Sequence, residues 1–194
     1  MVKLDSVSKP FISILLALLL TFACQEPVLA QAANDADITV QVVYNGDVIH
    51  VNVVVPVPAT PEEVWAVITD YDNAARFITN LKSSKVLSRN GSTWVVSQEM
   101  VARLGPFSTE VNTVRELQLT SNELVRSRIL SGNMKRADNI TRLVTEGPVT
   151  KIIMHSESIP DFWLPAFMGR GFIEQQTRDQ FINLRNEILR RKKP

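Results

Sequence analysis

Five turn sequences divide residues 82–159 into segments, and they constrain the fold more than any other feature of the chain. The turns are Arg89-Asn90-Gly91-Ser92, Gly105-Pro106, Thr120-Ser121-Asn122, Ser131-Gly132-Asn133 and Gly147-Pro148. Glycine, proline, asparagine and serine favour tight turns because of their backbone preferences and local hydrogen bonding. The segments between them have the length and residue types of strands. Strands joined by such short turns pair with their chain neighbours, so the pattern predicts an antiparallel meander.

A hairpin is predicted before the meander. Asn45-Gly46-Asp47 is a strong turn signal, and apolar segments at residues 38–44 and 48–55 flank it.

A short helix with a well-formed start is predicted over residues 61–69. Thr60 suits the N-cap, Pro61 suits the first helical position, and Glu63 lies three residues after the cap. Residues 74–79 predict a second short helix.

A long amphipathic helix is predicted at the end of the chain, from residue 173 onward. Its apolar stripe at helical spacing comprises Ile173, Thr177, Phe181, Leu184 and Ile188. Its polar side carries Glu174, Arg178, Arg185 and Glu187.

Residues 51–71 form a valine-rich strand, a capped helix containing Trp65 and an Asp-Tyr-Asp exit. This segment, followed by the meander and the final helix, resembles the START-like polyketide cyclase and lipid-binding superfamily (SRPBCC, helix-grip fold). The resemblance covers roughly residues 48–191. It implies an α+β protein in which a curved antiparallel sheet of about six to seven strands wraps on the long C-terminal helix, with two short helices after the first strand. Members of that superfamily enclose an apolar ligand, so we expect a cavity between sheet and helix.

Strand alternation separates a charged convex face from an apolar concave face that carries scattered polar groups. The candidate ligand-binding residues on the concave face are Trp94, Gln98, Met100, Thr113, Arg115, Ser127, Asn139 and Met154. The polar members require partners, because a buried polar group without one costs about 1–3 kcal/mol. They either bond to one another and to water beneath the final helix, or they line a cavity and orient an apolar ligand.

Arg115 is the most specific candidate on this face. A buried guanidinium needs an acceptor, so Arg115 could hold a carboxylate, a phosphate or a polarised carbonyl oxygen of a ligand. The alternative is an arginine near the sheet edge that reaches water or pairs with a carboxylate of the protein.

An aromatic segment at residues 159–172 precedes the final helix. The candidate ligand-binding residues in it are Phe162, Trp163, Phe167 and Phe172. The segment could form an apolar rim over a cavity, contact a membrane transiently, or serve as a docking patch in the cell envelope. Alternatively, its aromatic side chains plug one end of the core.

Catalytic and metal-binding motifs are lacking in the sequence. The two histidines, His50 and His155, are predicted on strands far apart along the chain, so we expect no metal site and no cofactor. His155 falls on the convex face. Asp70 and Asp72 are interpreted as turn formers. No residue stands out as a general acid or base, although Arg115 and Tyr71 are the first candidates if the protein is an enzyme.

Residues 1–30 are interpreted as a secretory signal. Lys3 and Lys9 precede an apolar run at residues 11–23, which is shorter than the roughly 20 residues that cross a bilayer, and cleavage is expected near Ala30. A lipoprotein anchored through Cys24 and a retained membrane anchor are the alternatives. We therefore expect a periplasmic protein with a flexible lead-in at residues 31–37 and one ligand-binding domain at residues 38–194, lacking disulfides.

The formal net charge of +1 gives no indication of a nucleic-acid partner. The sequence therefore favours a non-catalytic carrier or sensor that binds an apolar small molecule or lipid. An aromatase/cyclase or dehydratase-type enzyme acting on a polyketide-like substrate is the alternative. The oligomeric state is left open.

Overall fold

The protein folds as an eight-stranded antiparallel sheet with a long C-terminal helix, in a computed structural model that describes residues 34–104, 107–161 and 169–192. The strands are β1 Thr39–Asn45, β2 Val48–Val57, β3 Leu81–Asn90, β4 Thr93–Leu104, β5 Phe107–Thr120, β6 Leu124–Gly132, β7 Met134–Glu146 and β8 Val149–Pro160. The helices are α1 Pro61–Ile68 and α2 Arg170–Arg191, and Asp35–Asp37 and Tyr71–Arg76 form short 3-10 helices. The expected signal segment, Phe162, Trp163 and Phe167 lie outside the described residues.

The α+β helix-grip architecture is confirmed, with three corrections to its details. The sheet has eight strands rather than six to seven, because both strands of the N-terminal hairpin join it. For the same reason the two short helices follow the second strand instead of the first. The second of them is a 3-10 helix at Tyr71–Arg76 and not at residues 74–79.

The N-terminal hairpin joins the end of the meander. The strand order is β1-β2-β8-β7-β6-β5-β4-β3, and β2 pairs antiparallel with β8 through matches such as Val51 with Ser156. Strands β1 and β3 are therefore the two edges of the sheet. This pairing brings residues about one hundred positions apart in the sequence onto neighbouring strands.

Helix α1 begins with the capping box expected from its sequence. The Thr60 hydroxyl accepts a hydrogen bond from the Glu63 backbone N–H at 3.3 Å, and the Glu63 carboxylate accepts one from the Thr60 backbone N–H at 2.9 Å. Val64 and Val67 are buried beneath the helix. Trp65 packs against a second, smaller apolar cluster on the sheet, which agrees with a structural role.

The main core lies between β2, α1 and α2. Val53, Val55 and Val57 alternate along β2 with at most 1% exposure, and Ile188 of α2 is fully buried against the same cluster. Burying an aliphatic side chain of this size contributes roughly 1.5–3 kcal/mol. The apolar stripe of α2 therefore packs as its spacing predicts.

The polar side of α2 is buried at two positions, which the periodicity does not predict. Arg185 is only 1% exposed: it donates to the backbone carbonyl of Asn34 at 3.0 Å and pairs with the Asp35 carboxylate. Arg178 donates in the same way to the carbonyl of Ile38. The start of the described chain thus supplies acceptors for charged groups of α2, and part of the expected lead-in is packed against this helix.

Glu187 is the second buried charge on α2. Its carboxylate accepts hydrogen bonds from Arg190 at 2.7 Å and from Arg191 at 2.6 Å. These arginines lower the pKa of Glu187 from 4.5 to about 2.

No helix in the described ranges is both long and apolar enough to cross a membrane.

The corner between β6 and β7 depends on a glycine. Gly132 has a φ of +134°, and a Cβ atom there would lie 2.0 Å from the backbone oxygen of Asn112. The neighbouring Asn133 side chain binds β5 by accepting from the Asn112 N–H at 2.8 Å and donating to the Glu110 carbonyl at 2.7 Å. This close approach leaves no room for a side chain at position 132.

Replacing Gly132 with alanine is therefore expected to lower the free energy of unfolding by at least about 2 kcal/mol, measured by urea denaturation. Gly147→Ala is the matched control, because its φ is +60° but nothing lies within 4 Å of the added Cβ. Gly147→Ala should lower the free energy of unfolding by only about 1 kcal/mol, the cost of a left-handed backbone conformation at a residue with a Cβ atom. Equal effects of the two substitutions would contradict the close approach at Gly132.

The Glu187 pKa predicts an acid-dependent loss of stability. Because the folded-state pKa is below the ordinary value of 4.5, the stabilisation is present above that pH and is lost as the pH falls to about 2. Urea denaturation across this range should show a smaller pH dependence for Glu187→Gln than for the wild type. Identical pH profiles would show that the Arg190 and Arg191 contacts do not stabilise the carboxylate.

Candidate functional site

A cavity of about 250 Å³ lies between the concave face of the sheet and the helices. Its sheet wall comes from β3 to β8, with Leu81 contributed by β3. Its other wall is formed by Val67, Ile68, Tyr71, Ala74, Phe77, Ile78, Gln180, Phe181 and Leu184. Apolar side chains thus dominate the helical side, while the sheet carries most of the polar groups.

The structure brings six of the candidate residues together around this cavity. They are Gln98, Met100, Arg115, Ser127, Asn139 and Met154. They come from five adjacent strands, and the register places Ser127 opposite Asn139 and Gln98 two residue pairs away from Arg115. The alternation read from the sequence therefore holds across this part of the sheet.

Three further candidates are described but do not line the cavity. Trp94 lies near the β4 end and packs against Val96, Leu117 and Val125, with the Arg89 guanidinium 4.7 Å from its ring centroid. Thr113 is half-buried opposite Gln98. Phe172 lies in the first turn of α2 and is also half-buried. Sequence alternation identifies the face of a residue but not its distance along the strand from a cavity.

A line of hydrogen bonds runs across the cavity floor to Arg115. Arg115 Nη2 donates to the Gln98 side-chain oxygen, and Gln98 Nε2 donates to the Ser84 hydroxyl at 3.1 Å. Gln98 and Ser84 are both neutral. The line therefore orients Arg115 without neutralising its charge.

Arg115 carries unused hydrogen-bonding capacity inside the protein. Its Nε is buried and has no hydrogen-bond partner. Within the part of the chain that the structure describes, no carboxylate lies within ion-pair distance of Arg115. Burial lowers the pKa of Arg115 from its ordinary value of 12.5, although the guanidinium stays charged at neutral pH. The alternative of an Arg115 paired with a carboxylate of the protein is therefore not found among the described residues.

Ser127 provides a second polar group without a partner. Its hydroxyl oxygen is buried and unbonded, while the nearby Asn139 side-chain oxygen accepts from the Thr141 hydroxyl at 3.1 Å. A buried hydroxyl without a partner costs about 1–3 kcal/mol. Arg115 and Ser127 both border the same cavity.

Tyr71 faces the cavity from the 3-10 helix. Burial raises the pKa of Tyr71 above 10, and the nearby charge of Arg115 partly offsets that rise. The phenol is therefore protonated at neutral pH and can donate a hydrogen bond. Tyr71 and Arg115 therefore both carry hydrogen-bond donors and line the same cavity.

Two aspartates hold the Tyr71 segment in place. The Asp72 carboxylate accepts from the Val86 backbone N–H at 2.8 Å and pairs with Arg89 at 2.9 Å. Asp70 accepts from Asn73 at 2.8 Å and from Arg191 at 2.7 Å. Both carboxylates therefore have structural partners: Asp72 on β3, and Asp70 in Asn73 of the turn and Arg191 of α2.

Apart from Tyr71, the residues of the helical wall were not identified from the sequence as lining a cavity. Val67 and Ile68 of α1, and Phe181 and Leu184 of α2, belong to apolar stripes that were assigned to packing. The helical spacing of these apolar residues indicates that they point inward. Which of them border a cavity instead of filling it depends on how far the helices stand from the sheet.

Residues 57–185 match the family described as polyketide cyclase / dehydrase and lipid transport. The chain belongs to this family. The matched range contains α1, the 3-10 helix, β3 to β8 and most of α2, and so includes every cavity-lining residue.

Solved structures with the same fold share little sequence with this chain. A protein from Thermus thermophilus matches with a TM-score of 0.64 and 17% identity, covering 74% of this chain and 99% of that one. The Zhui aromatase/cyclase from a Streptomyces species matches with a TM-score of 0.61 and 15% identity, covering 74% of this chain and 95% of that one. A STAR-related lipid transfer protein from Xanthomonas axonopodis matches with a TM-score of 0.65 and 12% identity, covering 78% of this chain and 92% of that one. At these identities the likeness establishes the fold alone.

A search of curated proteins by sequence found no match.

Because Arg115 is incompletely paired, we expect its side chain to lower the stability of the ligand-free protein. Arg115→Met keeps most of the side-chain volume and removes the buried charge, so the free energy of unfolding should rise by about 1 kcal/mol in urea denaturation. Arg128→Met on the exposed face is the matched control, because Arg128 pairs with Glu116 at 2.9 Å at a 63% exposed position. Its effect should stay within about 0.5 kcal/mol. Clear destabilisation by Arg115→Met would instead indicate a structural role.

Proposed function

We propose that the protein binds a small apolar molecule bearing one strong hydrogen-bond acceptor, without transforming it. The apolar part of the ligand fills the cavity, and its carboxylate or polarised carbonyl oxygen lies against Arg115 and Ser127. The observation that carries this proposal is the Arg115 side chain, which borders a mostly apolar cavity and has no carboxylate partner among the described residues.

The cavity volume favours a small ligand. At about 250 Å³ it is close to the lower end of the roughly 300–1,000 Å³ range of cavities that hold drug-sized molecules. A molecule of several carbon atoms with one polar end fits this space. A lipid with two chains requires α2 to move away from the sheet.

Both ends of such a ligand contribute to affinity. Transfer of the apolar part from water contributes roughly 25 cal/mol per Å² of buried surface, before the losses of translational and side-chain freedom. A hydrogen bond to the charged guanidinium contributes about 1.5–3 kcal/mol, because the site is already desolvated. An anionic ligand should therefore bind more tightly than a neutral one of equal length.

The family description supports this proposal through its lipid-transport members, and one structural neighbour is named a STAR-related lipid transfer protein. A carrier or sensor needs a selective cavity but no acid or base. The sequence of residues 1–30 further supports action in the periplasm, which forms part of the proposal.

A cyclase or dehydratase is the second candidate, because Tyr71 and Arg115 lie together at the cavity. A protonated phenol and a guanidinium could stabilise the enolate oxygen of a polyketide-like substrate. The family description and the Zhui aromatase/cyclase support this reading equally.

Octanoate and octanol form a matched ligand pair that tests the binding proposal. They share a chain of the same length and differ in the anionic end, so wild-type protein should bind octanoate about 10- to 100-fold more tightly by isothermal calorimetry. Arg115→Met should remove this preference while leaving octanol affinity within about twofold. Weaker binding of both ligands, in the same proportion, would place Arg115 outside the contact.

The location of the ligand is tested by narrowing the cavity. Leu184→Trp adds bulk on the α2 wall and should weaken octanol binding at least about tenfold. Leu87→Trp is its control, because Leu87 is 52% exposed and lies on β3 away from the lining residues. An unchanged affinity in Leu184→Trp, with the fold intact by circular dichroism, would exclude this cavity.

Tyr71→Phe distinguishes binding from catalysis. It removes only the hydroxyl, so a carrier should retain octanoate affinity within about threefold. In an enzyme the same change should lower turnover of an aromatic polyketide substrate at least about 100-fold. Measurable turnover by the wild type that Tyr71→Phe abolishes would favour the second candidate over the first.

A further inference from the structure

The two histidines of the chain meet on the convex face of the sheet, opposite to the cavity. His50 on β2 pairs in register with Glu157 on β8, and His155 lies two residues before Glu157 on the same strand. The imidazole ring centroids of His50 and His155 are 6.1 Å apart. Register between β2 and β8 thus assembles a cluster from residues about one hundred positions apart.

We propose that His50, His155 and Glu157 form a binding site for a divalent transition-metal cation of the zinc or copper type. His50 Nδ1 lies 3.7 Å from Glu157 Oε1, and His155 Nε2 lies 3.5 Å from the same oxygen. One ligand atom from each residue lies within 4.8 Å of the other two. A tetrahedral cation with bonds of 2.0–2.1 Å has ligand atoms about 3.4 Å apart, so small side-chain adjustments complete the site.

The hydrogen bond of His155 orients its ring for a metal. His155 Nδ1 lies 2.7 Å from the side-chain oxygen of Asn52, the residue opposite it on β2. An amide oxygen only accepts, so Nδ1 carries the proton and the lone pair of Nε2 is directed at the cluster. Metal-binding histidines commonly donate their second ring N–H to such an oxygen.

Glu157 is oriented in a similar way. Its Oε2 forms an ion pair with Arg136 Nη2 at 2.7 Å, while Oε1 faces both imidazoles. Arg136 also donates to the Asp138 carboxylate at 2.7 Å. The charge of Arg136 is offset by Asp138, which leaves the negative charge of Glu157 available to a cation.

Accessibility and ligand type define the class of cation. The side chains of His50, His155 and Glu157 are 23%, 46% and 29% exposed, so a hydrated ion can reach them. Two imidazoles and one carboxylate suit zinc or copper, whereas magnesium prefers oxygen ligands. Three protein ligands leave at least one position for water or an external molecule. The site is independent of the cavity, and its test does not depend on the proposed function.

Calorimetric titration of the tag-free protein with Zn²⁺, and separately with Mg²⁺, tests the site. We expect one equivalent of Zn²⁺ to bind and no Mg²⁺ to bind in the same concentration range. His50→Gln, His155→Gln and Glu157→Gln should each weaken Zn²⁺ binding at least about tenfold, and Asn52→Ala about 10- to 100-fold. Glu146→Gln is the control: it removes a convex-face carboxylate that pairs with Lys151 at 2.6 Å, and should leave affinity unchanged.

A crystal soaked in Zn²⁺ gives an independent readout, because anomalous scattering locates the ion directly. A peak between the three side chains is expected. Zn²⁺ affinity that is equal in the wild type and in the double variant His50→Gln/His155→Gln would overturn the proposal. So would an anomalous peak elsewhere, or the absence of Zn²⁺ binding, which would leave the cluster as a histidine–carboxylate ion pair only.

Discussion

Packing of α2 across one face of the sheet is the constraint on which the rest of the structure depends. With Val53, Val55 and Val57 buried beneath it on β2 and Ile188 buried from the helix, each strand must direct alternate residues inward. The neighbouring strands keep this alternation except at the register shifts in the β3–β4, β5–β6 and β7–β8 pairs. The alternation also determines that Arg115, Ser127 and Asn139 point into the molecule while His50, His155 and Glu157 point out.

Local chemistry made much of this fold predictable. Tight turns separated the strands, the Thr60 capping box placed α1, and a two-residue period assigned six cavity residues to one face. Each of these features depends on neighbours within a few residues. The strand count was too low because the joining of the N-terminal hairpin to β8 is a long-range pairing.

The features that sequence reasoning missed all depend on contacts across long separations. Arg185 was assigned to the polar side of α2, yet acceptors at Asn34 and Asp35, about 150 positions earlier, allow its burial. The meeting of His50 with His155 follows from the β2–β8 register, which no local pattern encodes. The burial of charged and titratable residues is difficult to predict from the sequence, because a single distant partner decides whether it is tolerated.

The central claim is that a buried cation without a protein carboxylate selects the polar end of an apolar ligand. In such an arrangement the apolar part of the cavity contributes affinity and the guanidinium contributes selectivity. The unneutralised charge lowers the stability of the empty protein. A crystal structure of the protein with bound octanoate tests this most directly. We expect a carboxylate oxygen within hydrogen-bonding distance of the Arg115 guanidinium, with the alkyl chain between α2 and the sheet. Octanoate bound outside the cavity, or bound inside it with its carboxylate turned away from Arg115, would contradict the account.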